Sequence, residues 1–210
     1  MDAREILQQG LRRQNLSLDE QQCDQLIQFV GQLKKWNSVY NLTAVRDELN
    51  MVSRHLLDSL TVAPFVQAFS AIADLGSGGG LPGIPLAIAF PQKKFSLLDS
   101  NSKKTRFLVH AAATLGLRNV SVVHQRIEDF SPENKFDCLV ARAFAAPQKI
   151  MQMAGHLCSE EASLVLMVGH LDGLDLSNGN GFYWHSTTRV DVYNEPSIRH
   201  VVVFARRGQR

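Results

Sequence analysis

The residues most able to do chemistry lie in one run, Asp74-Leu75-Gly76-Ser77-Gly78-Gly79-Gly80-Leu81-Pro82-Gly83. It follows an apolar stretch that reads as a strand and leads into one that reads as a helix. Glycines at such a turn let a ligand lie against the backbone and permit positive φ. Pro82 and Pro85 suit the first turn of the following helix, where a missing N–H costs little. Two ligand classes compete for this turn. Gly78-x-Gly80-x-x-Gly83 matches the dinucleotide fingerprint, in which a pyrophosphate rests on a helix N-terminus. Asp74-x-Gly76-x-Gly78 matches the pattern that holds S-adenosylmethionine. Asp74 separates the two, because it repels a pyrophosphate and attracts a cationic amino group and a sulfonium. A turn that serves packing alone is the bland alternative, and glycines this dense at a strand end rarely do only that. S-adenosylmethionine is the expected cofactor, with Asp74, Gly76 and Gly78 around it. Asp99 ends the next strand about 20 residues on, where an acid accepts hydrogen bonds from a ribose. The same acid could instead cap the helix that opens near 100–102.

A second group of candidates surrounds Arg142. An arginine at the end of an apolar strand needs a partner. Either it bridges to Asp99 or Asp137, or its planar fork meets a guanine or a phosphate. Phe144 beside it either stacks on a base or fills core. His55 and His200 read as histidines satisfied by nearby carbonyls or carboxylates rather than as ligands. Cys23, Cys138 and Cys158 show no metal-ligand spacing, and their odd number fits a reducing compartment. Cys138 reads as a buried strand residue, and no Pro-Cys pair supplies a covalent nucleophile. No metal is expected.

These candidates need a scaffold, and the apolar patterning supplies one. The first seventy residues read as helical. Ile6, Leu7 and Leu11 share one face. Ser17 with Glu20 reads as a capping box for a helix running through Leu26, Val30 and Leu33 to Trp36. A break is expected at 37–41, then a further periodic stretch over 49–69. Beyond residue 70 short apolar runs at 71–75, 95–98, 120–123, 138–140 and 163–168 read as strands. Helical stretches at 86–90, 105–115 and 150–157 lie between them. Strands near 183–190 and 200–205 follow a Gly/Asn/Asp-rich loop at 171–181. Strands alternating with helices give an α/β fold with a mostly parallel sheet covered on both faces. The reading is a helical extension over 1–69 packed on a Rossmann-like domain over 70–210.

The 210 residues suffice for a real core, and 45% hydrophobic with 20% charged residues is ordinary for a globular chain. The net charge of +2 does not announce a nucleic-acid binder, although local patches matter more than totals. The basic candidates are Lys34-Lys35, Lys103-Lys104-Arg106, and Arg199 with Arg206-Arg207-Arg210. No signal peptide or long apolar run is read, so a cytoplasmic protein without a membrane partner is expected.

Lys35-Trp36-Asn37, Tyr40-Asn41-Leu42-Thr43, Arg54-His55 with Leu57-Asp58-Ser59, the extended Gly-Leu-Pro-Gly-Ile-Pro form of the turn, Leu98-Asp99-Ser100, Lys104-x-Arg106-Phe107-Leu108 and Arg142-Ala143-Phe144-Ala145 resemble a known pattern over about residues 5 to 205. The family is that of the bacterial small-subunit ribosomal RNA guanine-N7 methyltransferases, the glucose-inhibited division protein B (GidB) family. The resemblance implies a class I methyltransferase fold of seven strands, S-adenosylmethionine as cofactor, and 16S ribosomal RNA or the small ribosomal subunit as partner. Carried over by position, Gly76 and Leu81 line the methionine end, Asp99 holds the ribose, and Ile127 with Glu128 flanks the adenine. Arg142 faces cofactor and target base as the catalytic residue. Arg126 and Arg199, with Lys103 and Lys104, are the expected RNA contacts. Where many members carry a lysine after the fifth strand, this chain has Val168. A monomer is expected. Guanine N7 has a lone pair and no proton, so the transfer requires placement rather than a general base. A small-molecule methyltransferase, or a cofactor-binding module that has lost turnover, are the alternatives.

Overall fold

The structure, a computed structural model, describes residues 1–142 and 144–206. Ala143, Arg207 and Arg210, which belong to the motifs above, lie outside the described residues. The chain opens with helix α1 (Ala3–Arg13) and helix α2 (Glu20–Tyr40). Asp19, not Ser17, caps α2: its carboxylate accepts the Gln22 N–H while the Gln22 side chain reaches back to the Asp19 N–H. Both pairs satisfy the spacing rule, but only the observed one puts apolar residues at the positions that staple a helix entry. Those are Leu18 before the cap and Cys23 a turn beyond, and both join the core. One stripe, Cys23, Leu26, Val30, Leu33 and Asn37, is buried. The break expected at 37–41 falls at its last residue, where Asn41 takes a left-handed conformation (φ 51°).

Residues 48–60 form one bent helical run rather than a uniform helix: α3 (Glu48–Met51), a π-helical segment (Val52–Leu57) and α4 (Asp58–Leu60). Helix α5 (Ala63–Val66) follows, with Pro64 in its first turn. Wide π turns re-aim side chains and occur often at functional sites.

Strands β1 (Ala71–Leu75), β2 (Lys94–Leu98), β3 (Val120–Val123), β4 (Phe136–Arg142), β5 (Cys158–Val168), β6 (Phe182–Val192) and β7 (Glu195–Arg206) make one sheet of order β3-β2-β1-β4-β5-β7-β6. The first five are parallel, and β7 runs antiparallel to both β5 and β6. Helices α6 (Gly83–Ala89), α7 (Ser102–Thr114) and α8 (Pro147–Ala154) connect them. One buried cluster joins α1, α2 and the π segment to α6, α7 and one sheet face, and a second lies under α8. The N-terminal helices therefore share their core with the sheet. No described helix is long and apolar enough to cross a membrane.

The strand order reverses between β1 and β4, the point where open α/β sheets bind ligands beyond the strands' carboxyl ends. Gly76 follows β1 there, Arg142 ends β4, and Val168 ends β5.

Candidate functional site: two cavities that meet at Gly76

The glycine turn is held from below. Asp74 is fully buried, and its Oδ2 accepts the Gly83 N–H at 2.9 Å. A Cβ at Gly83 would stand 2.3 Å from Leu97 and 2.6 Å from the Asp74 carboxylate, so only glycine fits. Asp74 Oδ1 has no hydrogen-bond partner, and burial pushes the carboxyl up to about 7 despite the Gly83 and Ser77 hydrogen bonds. The sequence placed Asp74 against the cationic end of the cofactor. In the fold it lies beneath the loop and lines neither cavity described below. Its place on the second residue from the strand end, facing inward, makes it a brace for the turn.

On one side of Gly76 opens a cavity of about 580 Å³, lined by Gly76, Asp99, Lys104, Arg126, Ile127 and Glu128 among others. Asp99 does not cap the next helix. That cap is Asn101, whose side chain accepts the N–H groups of Lys103 and Lys104. Asp99 instead accepts the Gly78 N–H at 2.9 Å on Oδ2 and the Asn101 N–H at 2.8 Å on Oδ1, which ties the glycine loop to the end of β2. Each carboxylate oxygen has further lone pairs. Ile127 is buried in the cavity floor, while Glu128 and Arg126 stand exposed at its rim. Lys104 Nζ lies 3.8 Å from Asp99, so this lysine belongs to the same wall; Lys103 beside it is exposed.

On the other side of Gly76 lies a cavity of about 480 Å³. It is lined by the turn (Gly76, Gly78, Leu81), the 42–45 loop, Arg54, His55 and Asp58 of the bent helical run, and Arg142, Val168 and Arg199. Among the described residues Gly76 alone lines both cavities. Arg142 pairs with neither Asp99 nor Asp137, the two carboxylates that the bridging alternative offered it. Its Nη1 donates to Asp58 Oδ2 and to the Arg54 carbonyl, both at 3.1 Å. Asp137 is occupied by the backbone N–H groups of Ser70 and Ala71. Arg199 Nε lies 3.3 Å from Asp58 Oδ1, and Arg54 Nε lies 2.9 Å from Glu195. Asp58 and Glu195 were not singled out as site residues. The available signal was a charged residue recurring on the inward face of the 49–69 pattern.

Phe144 is partly exposed and packs on Gly76, where a Cβ would stand 2.2 Å from its ring. Of the basic clusters, Lys34 is paired with Glu48. Arg206 is turned inward, its guanidinium donating to the carbonyls of Gly155, Cys158 and Ser159.

His55 anchors the loop over the second cavity. Its Nδ1–H donates to the Arg54 carbonyl, so Nε2 is left to accept the Thr43 hydroxyl at 2.8 Å, and Thr43 Oγ1 in turn accepts the Val45 N–H. Burial, reinforced by Arg142, lowers its pKa from 6.5 to about 4. The folded protein therefore keeps His55 neutral at pH values where the unfolded chain protonates it. Stability from this residue is complete above pH 6.5 and is lost as pH falls toward 4. The slope is about 1.4 kcal/mol per pH unit. Between pH 7 and pH 5 the native protein is expected to lose about 2 kcal/mol more unfolding free energy than His55→Gln. Urea unfolding of both proteins at the two pH values measures this, and parallel losses would contradict it.

The reversal of strand order at a glycine turn, an acid after the second strand, and an antiparallel last strand inserted beside β5 define a class I methyltransferase. Solved structures share that fold. Magnesium protoporphyrin IX methyltransferase of Synechocystis PCC 6803, solved with S-adenosylmethionine bound, superposes with TM-score 0.59 at 16% identity over 90% of this chain and 98% of its own. A putative O-methyltransferase from Klebsiella pneumoniae gives 0.61 at 11% identity, over 85% and 89%. Sequence relatives are narrower in kind. The ribosomal RNA small subunit methyltransferase G of Ectopseudomonas mendocina (strain ymp) is 51% identical over 173 residues, 82% of this chain and 81% of the relative. That of Marinobacter nauticus is 44% identical over 201 residues, 95% and 94%. The family profile described as GidB, rRNA small subunit methyltransferase G, matches residues 22–191, and the chain belongs to that family.

Proposed function

We propose that this chain transfers the methyl group of S-adenosylmethionine to N7 of a guanine in 16S ribosomal RNA. The observation that carries the reading is the pair of cavities meeting at Gly76, one fitted for a nucleoside and the other ringed by arginines. In the first, Asp99 offers acceptor lone pairs to ribose hydroxyls, Ile127 gives an apolar face to the adenine, and Glu128 stands beside it. Gly76, where the two cavities meet, and Gly78 and Leu81 on the second cavity's side border the methionine end. Bound there, the cofactor supplies a methyl group on a sulfonium.

In the second cavity the target base presents N7. The lone pair of N7 would take up that methyl group as it leaves sulfur, and the positive charge would pass to the purine, which the residues here need only hold in line. No proton moves, which suits a pocket whose histidine is neutral and bonded on both nitrogens. Arg142 is the residue that meets the guanine, through O6 or an adjoining phosphate, and Arg199 shares that wall. Arg126 and Lys103, on the rim and beside it, extend the positive surface toward RNA. The acting form is a monomer on the small subunit or its RNA.

The test is transfer of labelled methyl from S-adenosylmethionine to purified small subunits and to naked 16S RNA, with strand scission specific for 7-methylguanosine as readout. Incorporation into neither, or label elsewhere than N7, would overturn the reading. Within it, Asp99→Ala is expected to weaken cofactor binding by about 10- to 100-fold, the equivalent of a charge-assisted hydrogen bond. Calorimetric titration checks this, and an unchanged dissociation constant would remove Asp99 from the ribose site.

A further inference from the structure

The second cavity has a buried support that the transfer reading does not by itself require. Asp58 is almost completely buried, and each of its oxygens faces a different arginine: Oδ2 accepts from Arg142 Nη1 at 3.1 Å and Oδ1 lies 3.3 Å from Arg199 Nε. The two arginines come from distant strands, the end of β4 and the body of β7. Asp58 comes from neither, but from the bent helical run of the N-terminal segment. The Arg54 carbonyl, one helical turn before Asp58, holds the same Nη1 of Arg142. One guanidinium nitrogen is thus fastened at two points, and among the described residues Arg142 Nε and Nη2 have no protein acceptor. Glu195 repeats the arrangement on the outer side, between Arg54 at 2.9 Å and Arg199 at 4.0 Å. Three guanidiniums against two carboxylates leave one positive charge in excess at the cavity wall.

We propose that Asp58 is the positioning residue of the acceptor cavity: by clamping Arg142 and Arg199 together it fixes the direction in which their remaining N–H groups meet the target nucleotide. The inference rests on the methyl-transfer reading above. A free arginine side chain carries large rotamer entropy, and a guanidinium held in advance loses less when it binds. Misplacing a reacting group by about 1 Å costs about 100-fold in rate. A buried carboxylate that touches both arginines is the means of avoiding that loss. The bent run supplies it because its π turn brings Arg54, His55 and Asp58 to the same cavity wall. Asp58 pairs with none of the three residues assigned to ribose and adenine, Asp99, Ile127 and Glu128, so its effect is confined to the acceptor side.

The test compares the whole protein with Asp58→Asn, which keeps shape and loses charge. Single-turnover transfer to small subunits is expected to fall by about 100-fold. The dissociation constant for S-adenosylmethionine is expected to stay unchanged. In NMR spectra the Nη–Hη signals of Arg142 and the Nε–Hε signal of Arg199 are expected to lose protection from solvent exchange. Asp58→Glu, which keeps the charge, is expected to restore part of the rate, and it carries the same comparison if the Asn variant does not fold. Unchanged arginine signals with a wild-type transfer rate would overturn the proposal. So would a rate loss matched by an equal loss of cofactor affinity, the mark of a general structural role. If the wild-type protein transfers nothing to subunits, the functional reading fails, while the arginine signals still decide whether Asp58 holds the pair.

Discussion

Gly76→Ala is expected to weaken S-adenosylmethionine binding by 100-fold or more and to lower stability by about 2–4 kcal/mol, from two causes that act at one carbon atom. The first is backbone conformation. Gly76 sits at φ +66°, where an L side chain costs about 1–2 kcal/mol. The second is space, because the new Cβ would stand 2.2 Å from Phe144 Cδ2. Phe144 then has to move, and both cavities border that point. The predicted signature is a joint loss of cofactor affinity and urea resistance, with partial recovery of affinity when Phe144→Ala is added. Gly31→Ala serves as control. It lies within α2 with nothing within 4 Å of the added carbon, and is expected to gain up to about 1 kcal/mol. Cofactor affinity of Gly76→Ala equal to wild type would show that the methionine end does not approach this residue.

Arg142→Ala is expected to reduce methyl transfer by about 1000-fold, the scale of losing one charge-stabilising donor from a catalytic site. The cofactor still binds through its ribose and adenine, because the cavity assigned to those groups does not include Arg142. The same change leaves Asp58 buried with Arg199 as its one remaining guanidinium partner among the described residues, which costs about 3 kcal/mol of stability. Folding and chemistry are separated by Arg142→Lys. A lysine returns the charge to Asp58 and most of the stability, but not the planar fork, so transfer stays low. Denaturation curves and single-turnover rates on the two variants give both numbers. Transfer by Arg142→Ala at the normal rate would make the arginine structural.

Local features were legible in the sequence, and long-range pairings were not. The β1 and β3 runs are apolar stretches bounded by turn residues, and both strands begin and end where the pattern does. β4 and β5 reach further than their apolar centres. Phe136-Asp137 and Ser159-Glu160-Glu161 extend the strands past them, and pairing in a sheet is a backbone property that polar side chains at a strand end do not interrupt. The glycine turn and Asp99 were recognisable because their spacing is short and their chemistry distinctive. Asp74 is buried under the turn and accepts the Gly83 N–H, a contact that spacing alone does not report, because it does not say which way a strand-end side chain faces. The Asp58 clamp was invisible for a stronger reason. Its arginines belong to β4 and β7, and no periodicity within a window of the chain reports on residues so distant. The π turn that aims it is likewise a departure from helical period, and a reading built on that period passes over it.

The place of β7 in the sheet has a consequence for how the molecule comes into being. The last strand of the sequence lies between β5 and β6, not at an edge, and it carries Arg199 and Glu195, whose partners Asp58 and Arg54 are made early. Such distant contacts require closing a loop of about two-thirds of the chain, an event that comes late in folding. The nucleoside cavity needs only β1, β2 and the segments that follow β3 and β4. A growing chain can shape the nucleoside half of its site well before it has an acceptor half. The acceptor half of the site therefore closes only when β7 has been made and has paired between β5 and β6.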